Sequence, residues 1–161
     1  MIINKKNLIV TTIIFLIVNS GDICGKIPDF RIGLIDSTYY TATNIHRGSS
    51  VLFYYYSSSC DDCKDLTSTI LKNIDELKDI QIIMITNESL IEVKKYADKY
   101  NLQNYSNIII GTEGLSGRFL QNFQVTKLPF LLYMFDTNKE EKYIFKENIG
   151  GFMQIITNKK L

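Results

Sequence analysis

Two cysteines three positions apart, Cys60 and Cys63, constrain the fold of this chain more than any other feature. Residues 51–56 form a continuous apolar and aromatic run before them, which predicts a buried strand. Residues 64–77 carry apolar side chains at helical spacing, and only a short serine turn separates the strand from Cys60. A strand, a turn and a helix that opens on C-x-x-C is typical of a redox site.

From the residues alone, the cysteine pair has three interpretations. In a redox site, Cys60 is the candidate nucleophile, because free N–H groups and the helix dipole favour a thiolate there, and Cys63 is the resolving thiol. A structural zinc would need four ligands, and Cys24 and His46 are the only other cysteine and histidine in the chain. The third interpretation is a purely structural disulfide. We favour the redox site.

Two acids, Asp61 and Asp62, stand between the cysteines. They suit the first turn of a helix, but beside Cys60 they oppose ionisation of its thiol, while Lys64 offsets part of this effect. A less stable thiolate means a less stable reduced form and a lower reduction potential. We therefore expect a reductant or isomerase-like protein, and the alternative is that both acids are solvated without a redox role.

Length and charge restrict the function further. The 161 residues fit one domain with a sizeable core. The formal net charge is +1, so the composition gives no reason to expect nucleic acid or an acidic partner. No bound cofactor is expected beyond the redox-active cysteine pair.

The N-terminus reads as a separate segment. Lys5 and Lys6 precede an apolar run at residues 8–18, which is shorter than the ~20 residues of a membrane-spanning helix. We predict that residues 1–24 are a secretory signal or an N-terminal membrane or lipid anchor, and that residues 25–161 form the domain. Cys24 is removed, free or lipidated in these alternatives. The domain is then secreted, periplasmic or anchored to the cell envelope, and only the N-terminal segment contacts a membrane.

The remaining sequence alternates strand and helix patterns. Strands are predicted at residues 30–35, 37–43, 51–56, 80–86, 108–110 (ended by Gly111), 129–135 and 142–146. Helices are predicted at residues 64–77, 90–100, 115–123 and 152–158, with Asn87 or Ser89 as the cap of the second. This order predicts an α/β fold with a central mixed sheet and helices on both faces.

Several segments resemble the thioredoxin-like superfamily. They are GKIPDF at 25–30, the strand and C-x-x-C at 51–63, FQVTKLPFLLY at 123–133, and the pair Gly150-Gly151. The chain looks most like the extracytoplasmic thiol–disulfide oxidoreductases of bacteria, the TlpA, ResA and DsbE group. The resemblance implies a thioredoxin-like fold with an N-terminal β-hairpin extension.

The same resemblance assigns site residues. It implies that Pro129 is cis and lies against the Cys60–Cys63 disulfide, and that the backbone of Leu128 pairs with the substrate. Ser59, Asp61 and Asp62 are assigned to the client-binding surface beside these residues. The implied partners are a client protein with a disulfide or thiols and an upstream thiol reductant, such as a membrane thiol carrier.

Three departures from the family pattern stand out. Ser59 occupies the usual tryptophan position, and Asp62 occupies a position where proline is common. Tyr54 falls where thioredoxin has a buried acid, and tyrosine is no comparable proton acceptor at neutral pH. Proton transfer to Cys63 would then depend on water or Glu113. The departures favour a narrow client range, and they support an alternative function as a binding module with little or no redox turnover.

Overall fold

The structure is a computed structural model that describes residue 27, residues 29–136, residues 141–145 and residues 151 and 154. The predicted N-terminal segment 1–24, including Cys24, lies outside the described residues, as does Gly150. Of the predicted last helix, only residue 154 is described, and it is helical. Within the described residues, no helix is both long and apolar enough to cross a membrane.

Seven strands form one mixed sheet among the described residues. They are β1 (Arg31–Leu34), β2 (Tyr39–Thr41), β3 (Ser50–Tyr55), β4 (Ile80–Thr86), β5 (Ile108–Thr112), β6 (Phe130–Asp136) and β7 (Glu141–Phe145). Their order in the sheet is β2-β1-β5-β4-β3-β6-β7. β3, β4 and β5 are parallel, whereas β6 is antiparallel to β3, and β1 is antiparallel to both β2 and β5. The predicted mixed sheet and N-terminal hairpin are confirmed.

Helices cover both faces of the sheet, as predicted. They are α1 (Asp61–Lys72), α2 (Leu90–Tyr100) and α3 (Arg118–Asn122). Side chains alternate between the faces along β3. Tyr54 and Tyr56 pack with α1 and α2 on one face, whereas Phe53 and Tyr55 pack with α3 on the other. The three consecutive tyrosines are therefore core residues, as their pattern predicts.

Helix α1 begins earlier and ends earlier than its apolar spacing predicts. Cys60 is the N-cap, since its sulfur accepts a hydrogen bond from the backbone N–H of Cys63, and the helix therefore starts at Asp61. At the other end, the Asn73 side chain donates to the carbonyl of Thr69 and its backbone leaves the helical region. The predicted last turn is instead a separate 3-10 turn, Ile74–Leu77.

Two predicted boundaries near β5 are wrong. Gly111 does not end the strand, which continues to Thr112 and pairs with β1. The predicted helix at 115–123 is divided into a 3-10 turn at Gly114–Ser116 and the short α3, because Gly117 adopts a left-handed backbone conformation between them.

Gly111 is required by the close approach of β1. A Cβ atom on it would lie 2.7 Å from the carbonyl oxygen of Gly33 and 3.1 Å from two side chains of β1. Gly33 on the facing strand is a matched control, because the contact nearest to its added Cβ is 3.8 Å.

We expect Gly111→Ala to lower the free energy of unfolding by about 1–3 kcal/mol, since the backbone of β1 must move to accept the methyl group. Gly33→Ala should cost clearly less. Urea denaturation of both variants measures the difference, and equal midpoints would contradict the close approach.

Candidate functional site

The cysteine pair lies where the central strand β3 leads into α1. Cys60 and Cys63 form a disulfide with Cα atoms 5.2 Å apart. Cys63 is completely buried, whereas Cys60 is only partly buried. Because one sulfur is accessible and the other is not, an incoming thiol or disulfide would meet Cys60 first. The predicted roles of Cys60 as nucleophile and Cys63 as resolving thiol are compatible with this burial and remain a prediction.

Backbone donors at the start of α1 stabilise negative charge on Cys60. The N–H of Cys63 donates to the Cys60 sulfur over 3.1 Å. Hydrogen bonds of this kind are stronger when the acceptor is ionised, so the same donor favours the thiolate in the reduced protein. The helix dipole acts in the same direction.

The charges between the cysteines are partly paired. Lys64 donates to Asp61 over 2.6 Å, and this hydrogen bond lowers the pKa of Asp61 and raises the pKa of Lys64. Lys64 is therefore bound to Asp61, which limits how far its charge can support a thiolate on Cys60. Asp62 is exposed and adds a second negative charge to this helix start.

Tyr54 occupies the position of the expected buried acid and belongs to a neutral hydrogen-bond network. Its hydroxyl donates to the carbonyl of Cys63 over 2.7 Å and lies 3.3 Å from the Thr67 hydroxyl, which contacts Tyr96 over 2.8 Å. Burial raises the pKa of Tyr54, and it raises the pKa of Tyr96 to about 12. At neutral pH these phenols hold the backbone of Cys63 but do not take its proton.

Glu113, one of the two alternatives to the buried acid, lies on the other face of the sheet. Its carboxylate accepts hydrogen bonds from the Tyr55 hydroxyl at 2.7 Å and from the backbone N–H groups of Phe119 and Leu120. Tyr55 and Phe119 belong to the core on the sheet face opposite Cys63. Glu113 therefore fastens the start of α3 to β3 and has no path to the cysteines.

The strand register brings Pro129 and Leu128 to the same edge of the sheet as Cys60. The Leu128–Pro129 peptide bond is cis, as predicted. Phe130, the next residue, pairs with Tyr55 at the end of β3, so Pro129 lies beside the segment that leads to Cys60. Both Leu128 and Pro129 are partly buried. Their predicted contact with a client remains a prediction.

Three further predicted site residues surround the accessible cysteine. Ser59, Asp61 and Asp62 are all exposed and adjoin Cys60 along the chain. Their assignment to a client surface is compatible with this exposure and remains a prediction. His46 is exposed in the loop before β3. Within the described part of the chain, no group of three metal-ligating side chains lies close enough together to hold a metal ion.

Glu88 belongs to the site and was missed by the sequence analysis. It follows β4, and its Oε1 atom accepts hydrogen bonds from the Ser57 hydroxyl at 2.7 Å and the Ser58 N–H at 2.9 Å. The turn before Cys60 is thus bound to a carboxylate from the neighbouring strand. Its only sequence signal is an acid at the end of a predicted parallel strand, where the ends of such strands meet.

Comparison with known proteins gives structural but no sequence relatives. No protein-family model matches the chain, and no curated protein matches it. A secreted disulfide oxidoreductase of Mycobacterium tuberculosis, homologous to E. coli DsbE, matches with a TM-score of 0.62 and 11% identity over 74% of this chain and 84% of that chain.

Two other solved structures agree. A thiol–disulfide oxidoreductase from Bacteroides fragilis matches with a TM-score of 0.65 and 14% identity, over 83% of this chain and 98% of that chain. A thioredoxin-like protein from Aeropyrum pernix matches with a TM-score of 0.63 and 14% identity, over 81% of this chain and 89% of that chain. The chain therefore has the thioredoxin-like fold, and its Cys60–Cys63 disulfide lies at the start of α1.

Proposed function

We propose that this protein is a thiol–disulfide oxidoreductase that reduces disulfides of client proteins outside the cytosol. The observation that carries the proposal is the pairing of an accessible Cys60 with a buried Cys63 at the start of α1. The helix start favours a thiolate at the accessible position, and the second sulfur is already within bonding geometry. Both are what thiol–disulfide exchange requires.

The reaction proceeds through a mixed disulfide. In the reduced protein, the Cys60 thiolate attacks one sulfur of a client disulfide, so a bond forms between Cys60 and the client while the client S–S bond breaks. The departing client thiolate takes a proton from solvent. Cys63 then loses its proton and attacks the Cys60 sulfur, which releases the second client thiolate.

This exchange balances as a two-electron transfer. The client disulfide becomes two thiols, and the two thiols of the protein become the Cys60–Cys63 disulfide. A dithiol protein must then reduce that disulfide for another turnover, and we propose an upstream thiol reductant for this step. The predicted export signal at residues 1–24 and the secreted structural relative from M. tuberculosis support a location outside the cytosol.

The reducing direction is supported by the charges around Cys60. Asp61 and Asp62 disfavour a thiolate, and Lys64 is bound to Asp61. A disfavoured thiolate destabilises the reduced form relative to the disulfide, which lowers the reduction potential.

The second candidate function is a client-binding module with little redox turnover. The observation that favours it is the neutral network of Tyr54, Thr67 and Tyr96 at Cys63, because phenols with raised pKa values do not accept the proton that Cys63 must lose. Slow resolution would leave the protein attached to its client. An insulin-reduction assay separates the two functions, since a binding module would not reduce insulin.

We expect Cys63→Ser to accumulate a mixed disulfide between Cys60 and a client, because the resolving sulfur is gone while the nucleophile remains. Cys60→Ser should form none and should reduce insulin only at the uncatalysed rate. Non-reducing electrophoresis and mass spectrometry of the captured species measure this. A mixed disulfide through Cys63 in the Cys60→Ser variant would contradict the assignment of the nucleophile.

We expect Asp62→Asn to raise the reduction potential by roughly 10–20 mV, since one charge near a helix start is worth a fraction of a kcal/mol to the thiolate. Lys64→Gln should change the potential in the opposite direction. Equilibration with glutathione measures both. Asp75→Asn is the matched control, because Asp75 lies in the turn beyond the far end of α1. Equal shifts in Asp62→Asn and Asp75→Asn would refute a local effect.

A further inference from the structure

Hydrogen bonds hold the backbone of Glu88 at both its N–H and its carbonyl group. Its backbone N–H donates to the Thr86 hydroxyl at 3.3 Å, and its carbonyl accepts a hydrogen bond from the Thr112 hydroxyl at 2.5 Å. The next residue, Ser89, caps α2 by accepting from the N–H of Glu92. The carboxylate therefore projects from a rigid junction of β4, β5 and α2.

From this junction the carboxylate holds the turn that presents Cys60. It accepts hydrogen bonds from the Ser57 hydroxyl and the Ser58 N–H. Ser57 in turn contacts the other residues of the turn. The Ser57 hydroxyl contacts the Ser59 hydroxyl at 3.0 Å, and the Ser57 carbonyl accepts the N–H of Cys60 at 3.2 Å. Two hydrogen bonds in sequence thus connect Glu88 to the backbone of the nucleophile.

The second carboxylate oxygen of Glu88 is buried. Oε2 has no hydrogen-bond partner among the described residues, and the same holds for the buried hydroxyl of Tyr56. Burial raises the pKa of Tyr56, and the negative charge of Glu88 raises it further. Because Glu88 is half-buried and one of its carboxylate oxygens is inaccessible to water, its charge is screened less than that of a fully exposed acid.

We propose that Glu88 is the positioning residue of the Cys60 site: its two hydrogen bonds fix the Ser57–Ser59 turn, and its half-buried charge disfavours the Cys60 thiolate. The proposal rests on the proposed function, in which that thiolate attacks the client. It assigns the reducing character of the site to the half-buried acid that holds the turn, in addition to the exposed acids of α1.

The size of the effect follows from the turn. Ser57 to Cys60 is a β-turn, so its end Cα atoms are less than about 7 Å apart, and Oε1 of Glu88 lies 2.7 Å from the Ser57 hydroxyl at the start of that turn. A single charge roughly 10 Å from a thiol in a partly buried site moves its ionisation by about one pH unit. Among the described residues, other charged groups toward this edge of the sheet include Asp61, Asp62, Lys64 and Asp65 on α1, Lys99 on α2 and Lys127 before β6.

Two variants separate the effect of the Glu88 charge from the effect of its hydrogen bonds to Ser57 and Ser58. Glu88→Gln keeps a carbonyl oxygen that can accept from Ser57 and Ser58 but removes the charge, whereas Glu88→Ala removes both. Glu92→Gln is the matched control, because Glu92 is a half-exposed carboxylate four residues away that pairs with Lys95 at 2.7 Å and does not hold the Ser57–Ser59 turn.

The test uses the reduced full chain without a client. We expect thiolate absorbance to show the pKa of Cys60 lowered by about one unit in Glu88→Gln and unchanged in Glu92→Gln. Amide exchange at Ser58 should stay slow in Glu88→Gln and become roughly tenfold faster in Glu88→Ala. An unchanged or raised pKa of Cys60 in Glu88→Gln, or a protected Ser58 in Glu88→Ala, would overturn the proposal.

Each measurement can fail independently of the proposed function. If the wild-type protein reduced no insulin, the proposed function would fail, while the titration and exchange would still decide the role of Glu88. If Glu88→Ala did not fold, the titration of Glu88→Gln alone would decide whether its charge acts on Cys60.

Discussion

The hydrogen bond from the Cys63 N–H to the Cys60 sulfur is the interaction on which the site depends. It makes one cysteine the cap of α1 and places the other inside the first turn, so a single local contact sets both the helix start and the separation of the two sulfurs. The contact is rigid because β3, which leads into it, is bonded on both sides, to β4 and to β6. Chemistry and fold are therefore determined at the same point of the chain.

Elements whose signals are local were predicted with the correct bounds. β4 and α2 match their predictions because a continuous apolar run and a serine cap are complete within the segment. The continuation of β5 through Gly111 was not predictable, since it depends on the approach of β1 from a distant part of the sequence. The end of α1 at Asn73 depends on a side-chain bond that helical spacing does not reveal.

The site residues divide in the same way, into those with local sequence signals and those that depend on contacts between distant segments. Cys60, Cys63 and Pro129 carry motifs, and the sheet order brings them to one edge. Of the two alternatives for the proton acceptor, Glu113 could not be dismissed from the sequence, because only its contact with Tyr55 shows that it lies on the other face of the sheet. Successive side chains along a strand point to opposite faces, so Tyr54 and Tyr55 lead to different sides. Glu88 was missed because its partners, Ser57 and Ser58, follow a different strand, and only the parallel pairing of β3 and β4 brings them within reach.

The buried tyrosines around the cysteines carry no charge at neutral pH. Burial raises the pKa values of Tyr54, Tyr55 and Tyr56, so all three stay neutral in the core, and the stability they contribute is present below a pH of about 10 and is lost as the pH rises above it. These tyrosines therefore add no charge beside the cysteines, whereas the start of α1 and Glu88 supply carboxylates there. Salt screens exposed charges strongly and buried charges weakly. The contribution of Asp61 and Asp62 to the reduction potential should thus fade at high ionic strength, whereas that of Glu88 should persist.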